Sequence, residues 1–160
     1  MKIGDFEALE PEVMNAMFDM FGNIKAGDVH IELGAGNGQF VQEGLDRGLA
    51  SMGYEIDETL ALQCQAQGLN VIHGDFFDYD LSPADLVTFW FTDNAGLDLL
   101  IQKLYADLSN NTKVVALFDS ITQYRDGILV PEVTGIPTHP NFAPVKTEMV
   151  IGNRICYYRV

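Results

Sequence analysis

Three carboxylates stand where a chain would need them to grip a small ligand. Glu32 lies two residues before a run of alternating glycines, Glu55 closes the next apolar segment, and Asp75 precedes a pair of phenylalanines. The glycines are Gly34, Gly36 and Gly38, with Ala35 between the first two. Such a turn lets the backbone bend tightly and approach a ligand with no Cβ in the way. The helix that opens after it aims amide N–H groups at the same place. Spacing then narrows the ligand class. A dinucleotide fingerprint requires G-x-G-x-x-G, whereas Gln39 occupies the last slot here. A carboxylate beside the turn also repels a diphosphate and favours a cationic or zwitterionic ligand.

The elements that must position these groups alternate. Val29, Ile31 and Leu33 are strand formers leading into the glycine turn, and Phe40, Val41, Gly44 and Leu45 mark one face of a helix ending near Gly48. Residues 51–56 read as a second strand. Its Glu55 falls seventeen positions after Gly38, where an acid in nucleotide-type βαβ units reaches ribose hydroxyls. Asp57 and Glu58 suit the N-terminus of a helix over 59–67. Residues 70–73 form a third strand that delivers Asp75 and Phe76 to the same rim; Asp75 could accept from an exocyclic amine while Phe76 covers a flat ring. The apolar run 84–91 reads as a central strand buried on both faces. A helix over 97–108, a strand over 113–118, a proline-rich loop and a hairpin over 145–160 follow. A further helix over 11–24 precedes them, its Met14, Met17 and Met20 reading as core packing. The expected class is α/β, a Rossmann-like doubly wound sheet with a C-terminal antiparallel hairpin.

At 160 residues the chain reads as one domain, 1–160, with a ligand-binding core over 28–120. Its net charge of −14 opposes a surface that tracks phosphates, so no nucleic-acid partner is expected, and a basic partner would be attracted. No apolar run approaches the roughly 20 residues of a spanning helix, and the acidic start MKIGDFEALE is unlike a leader; a cytoplasmic protein is expected. Cys64 and Cys156 read as reduced buried thiols, and His30, His73 and His139 share no metal-ligand spacing.

The pattern Glu32-x-Gly34-x-Gly36-x-Gly38 resembles motif I of class I, seven-stranded S-adenosylmethionine-dependent methyltransferases. Pro11-Glu12-Val13, the lead-in Ile24 to Val29, Gly53 to Asp57, Gly74 to Phe77, Val87 to Phe91 and the closing Arg154 to Val160 are similar to one branch, the small archaeal and mitochondrial-type protein lysine methyltransferases. That likeness implies a seven-stranded sheet and S-adenosylmethionine as cofactor. It implies that Glu32, Gly34, Ala35 and Gly36 hold the methionine part, Glu55 with Ile56 the ribose side, and Asp75 with Phe76 the adenine. The branch carries a tyrosine-valine-proline-threonine segment where this chain has Phe6-Glu7-Ala8-Leu9, a departure on the acceptor side.

Methyl transfer from a sulfonium is an in-line displacement that depends chiefly on alignment. Asp93 and Asn94, at the end of the central strand, are the candidates to position an acceptor amine, with Trp90 or Phe91 walling the methyl from water. Asp93 is equally placed to cap the following helix. The expected activity is N-methylation of a protein lysine. A small-molecule acceptor, or a module that binds the cofactor without turnover, stays open.

Overall fold

The computed structural model describes residues 9–91, 97–109, 111–118, 123–125, 128–130, 145–150 and 153–159. Its centre is a seven-stranded sheet made from β1 (Val29–Leu33), β2 (Ala50–Glu55), β3 (Val71–His73), β4 (Leu86–Phe91), β5 (Lys113–Phe118), β8 (Lys146–Val150) and β9 (Asn153–Arg159). The order is β3-β2-β1-β4-β5-β9-β8. The first five strands in that order are parallel, and β9 and β8 complete the sheet antiparallel. Chain order reverses direction between β1 and β4, and the crevice outside the carboxyl ends of strands at such a switch point is where open α/β sheets bind ligands.

Side-chain alternation divides the sheet into two faces. On one, Ile31, Leu33, Val87, Phe89, Val114 and Ala116 pack with Leu100, Ile101 and Leu104 of α4 (Leu97–Asp107). On the other, Leu86, Val115 and Leu117 pack with Val13, Met14, Met17, Phe18 and Met20 of α1 (Pro11–Met20) and with Phe40 of α2 (Gln39–Asp46). The methionines are thus core. A third cluster joins Val41 of α2 to Ala61 and Cys64 of α3 (Glu58–Ala66) and to Val71. Arg47 ties the helices together: its guanidinium lies 5.0 Å from the Phe18 ring centroid, donates to Asn15 at 2.9 Å and pairs with Glu43 at 2.7 Å.

Several boundaries differ from the sequence reading, each for a local reason. α1 ends at Met20 rather than at 24, because Gly22 takes a left-handed φ of 71° and its N–H closes onto Asp19 O. Phe21 nonetheless stays in the core. Leu45, assigned above to the buried face of α2, is 40% exposed, while Phe40, Val41 and Gly44 are buried. Asp57 caps α3 as expected, accepting from Leu60 N at 3.0 Å. A small antiparallel ladder of β6 (Gln123–Arg125) and β7 (Ile128–Val130) was absent from the sequence reading, since three residues are too few to display a period. The proline-rich segment 131–144 lies outside the described residues. Cys64 and Cys156 are buried, and among the described residues neither forms a disulfide.

Candidate functional site

Glu32 and Glu55 come together because β1 and β2 run parallel in register, Glu32 opposite Gly53 and Leu33 opposite Tyr54, so Glu55 emerges one residue further along the same rim. Both carboxylates are 1% exposed. Glu55 reaches into the glycine turn. Its Oε2 accepts from Gly36 N at 2.7 Å and its Oε1 accepts from Asp57 N at 2.9 Å. The main chain of the same region is tied as well: Gly34 N and Ala35 N donate to Tyr54 O, and Gly74 N donates to Glu55 O. Gly74 leads directly to Asp75 and Phe76, so the third candidate acid arrives at this rim too.

The turn amides are engaged within the protein: those of Gly34, Ala35, Gly36 and Gly38 all donate to protein acceptors, and so does that of Gln39, the first of the helix amides expected to face a ligand. What the turn offers is room. Gly34 has φ of 83°, and a Cβ built there would meet no atom of the described residues within 4 Å. Gly53 has the opposite role, since a Cβ on it would lie 2.8 Å from Ala35 Cβ.

Asp75 is half-buried and uses Oδ1 to accept from Phe77 N, which caps a short 3-10 turn over Phe76–Asp78. Phe76 packs against the α4-side core, with its ring centroid 4.6 Å from that of Phe77. Ile56, beside Glu55, is 57% exposed. Asp93 and Asn94 lie outside the described residues.

Three buried polar side chains bonded to the site were not singled out as site residues from sequence. His30 and Glu32 are two apart on β1 and therefore share a face; Ser51 is the register partner of His30 and Thr88 that of Glu32. The result is a continuous buried chain. Ser51 Oγ lies 2.6 Å from His30 Nδ1, His30 Nε2 lies 2.7 Å from Thr88 Oγ1, and Thr88 Oγ1 donates to Glu32 Oε2. The signal was available: polar residues in otherwise apolar strand runs demand partners when buried. Burial lowers the His30 pKa from 6.5 to about 3, so the ring is neutral. Burial raises the Glu32 carboxyl well above the ordinary carboxylate range; the Thr88 hydrogen bond acts against this and the Glu55 charge adds to it. Glu32 Oε1 is buried without a partner among the described residues.

The sheet order, with its glycine turn at the switch point, defines the fold of class I S-adenosylmethionine-dependent methyltransferases. Residues 16–104 match the family described as methionine biosynthesis protein MetW, and the chain belongs to that family. No curated protein matches the chain. Among solved structures, it is similar to an RNA methyltransferase from Salinibacter ruber in complex with S-adenosyl-L-homocysteine, at 22% identity and a TM-score of 0.70, with 96% of this chain and 94% of that one covered. It is also similar to a MtNAS variant in complex with S-adenosylmethionine, at 15% identity and 0.70, covering 92% of this chain and 60% of that one. A methyltransferase from Geobacter sulfurreducens in complex with S-adenosyl-L-homocysteine matches at 18% and 0.55, covering 68% of this chain and 48% of that one.

The site's own geometry fits such a ligand. A buried carboxylate oxygen without a partner is costly, and a ligand ammonium is the kind of group that would satisfy it. Gly34 leaves space for close approach. Glu55 has lone pairs left after its two amide bonds, because each carboxylate oxygen accepts two.

Proposed function

We propose that this chain is an S-adenosylmethionine-dependent methyltransferase acting on an amine acceptor, a protein lysine side chain being the substrate class that fits best. The observation that carries the reading is the unpartnered, buried Oε1 of Glu32 beside a glycine turn that is open at Gly34. In this reading Glu32 receives the ammonium of the methionine part and the segment Gly34-Ala35-Gly36 lets that part lie close to the backbone. Glu55 accepts from the ribose hydroxyls, Ile56 lines the ribose side, and Asp75 and Phe76 hold the adenine. When bound, the cofactor supplies an electrophilic methyl on sulfur. Asp93 and Asn94 orient the acceptor amine, which must arrive deprotonated, and Trp90 bounds the pocket. The net charge of −14 supports a basic protein as acceptor and weighs against nucleic acid.

A second reading, a binding module without turnover, is favoured by the departure at Phe6 to Leu9 from the lysine-methylating pattern. Calorimetric titration with S-adenosylmethionine and S-adenosylhomocysteine, beside Glu55→Ala, tests the cofactor. Saturable binding that this substitution weakens at least tenfold is expected, and no binding of either ligand overturns the reading. Formation of S-adenosylhomocysteine with basic proteins then separates the enzyme from the module.

A further inference from the structure

We propose that Ser51, His30 and Thr88 are positioning residues for Glu32: a one-directional hydrogen-bond relay across β2, β1 and β4 delivers a donor to Oε2 and reserves Oε1 for the cationic nitrogen of the ligand. The ligand half of this statement rests on the function proposed above. The relay half rests on geometry alone.

Direction follows from counting protons. Each hydroxyl has one hydrogen to donate, and a neutral imidazole has one N–H and one acceptor nitrogen. If Ser51 Oγ–H donates to His30 Nδ1, then His30 Nε2–H donates to Thr88 Oγ1, and Thr88 Oγ1–H donates to Glu32 Oε2. With Glu32 ionised, as it is opposite a bound cation, every hydrogen in the chain then has an acceptor. Reversed, Nδ1–H donates to Ser51, and the Ser51 hydroxyl hydrogen has no acceptor among the described residues. A buried donor left without a partner costs on the order of a lost hydrogen bond, so the forward order prevails and His30 is the Nε2–H tautomer.

The packing around the relay protects it. The Phe18 ring of α1 meets the His30 ring edge-on at 5.3 Å, and Gly44 of α2 lies so close that a Cβ would stand 2.5 Å from Ser51 Oγ and 2.7 Å from His30 Nδ1. No other side chain than glycine would allow that approach without a shift. The charged group that bears on Glu32 from a neighbouring strand is Glu55. With Oε2 held as an acceptor by Thr88, Oε1 is the atom on which Glu32 can keep its own proton or receive a cationic donor. Thr88 thus fixes which carboxylate oxygen meets the ligand.

The relay is tested first with S-adenosylhomocysteine bound. Long-range proton–nitrogen correlation spectra of the full chain should then show His30 protonated at Nε2 and unprotonated at Nδ1 from pH 5 to pH 8. The Nδ1–H tautomer overturns the relay. The ligand half is tested by titrating wild type, Thr88→Val and Thr88→Ser with S-adenosylhomocysteine and with 5′-methylthioadenosine, which lacks the amino acid portion. Thr88→Val should weaken S-adenosylhomocysteine about tenfold and leave 5′-methylthioadenosine unchanged, and Thr88→Ser should restore the loss. Equal weakening of both ligands would mean general damage and overturns the positioning role. Absence of binding by wild type overturns the proposed function and the ligand half together, whereas the wrong tautomer with normal binding overturns the relay alone.

Discussion

Glu55 Oε2 accepts a hydrogen bond of 2.7 Å from the Gly36 amide, joining the end of β2 to the glycine turn that follows β1. A carboxylate read from sequence as a ligand group is therefore also a structural strut, because the same side chain holds Asp57 N through its other oxygen.

Glu55→Ala should destabilise the ligand-free protein by roughly 2–4 kcal/mol, as two sheltered amides lose their acceptor. Glu55→Gln, which keeps one acceptor oxygen, should lose less. Urea unfolding of the three proteins checks this ranking; an Ala variant as stable as wild type would show that the strut is energetically idle.

Acid should weaken the fold through His30. Its pKa lies at about 3 in the folded chain against 6.5 as the ordinary value, so the unfolded chain binds the extra proton and stability falls as pH drops from 6.5 toward 3. One proton gives a slope of about 1.4 kcal/mol per pH unit across that window. Comparing urea midpoints of wild type and His30→Asn between pH 4 and pH 7 measures it. The variant should be less stable at pH 7 and show a shallower slope.

Glu32 works in the opposite sense. Its folded pKa is raised, so the native chain retains a proton that the unfolded chain releases, and its contribution is lost as pH rises above the ordinary carboxylate range. Glu32→Gln should make the ligand-free protein relatively more stable the higher the pH, while abolishing measurable affinity for S-adenosylhomocysteine. Thermal melts from pH 5 to pH 9 with and without ligand report both effects.

Gly44→Ala sets two terms against each other. Alanine is better than glycine in a helix interior by about 1 kcal/mol, but its Cβ would stand 2.5 Å from Ser51 Oγ, and overpacking costs roughly 1–3 kcal/mol. Net destabilisation is expected, with a shifted His30 ring signal. A rise in melting temperature with an unchanged spectrum would show that α2 can move away freely.

Much of this arrangement was legible in the residues. β5 falls on 113–118 as read, since six consecutive residues between turn signals leave little freedom, and the Glu32 to Gly38 pattern located the rim because glycines and an acid are informative one by one. The relay was harder to see. His30 and Thr88 are 58 positions apart, and only the pairing of β1 with β4 shows that a buried histidine and a buried threonine satisfy each other. The partners of the turn amides were equally hidden: Gly34 N and Ala35 N donate to Tyr54 O and Gly36 N donates to Glu55, acceptors on another strand.

The order β5-β9-β8 carries its own consequence. β9 pairs with β5 on one side and β8 on the other, and among the described residues β8 pairs with β9 alone. The outer strand is thus joined to the sheet through its successor in the chain. Amide hydrogens of β8 cannot outlast those of β9 in exchange, whereas β9 can stay protected while β8 frays. The antiparallel edge is therefore expected to open from the outside inward, β8 before β9.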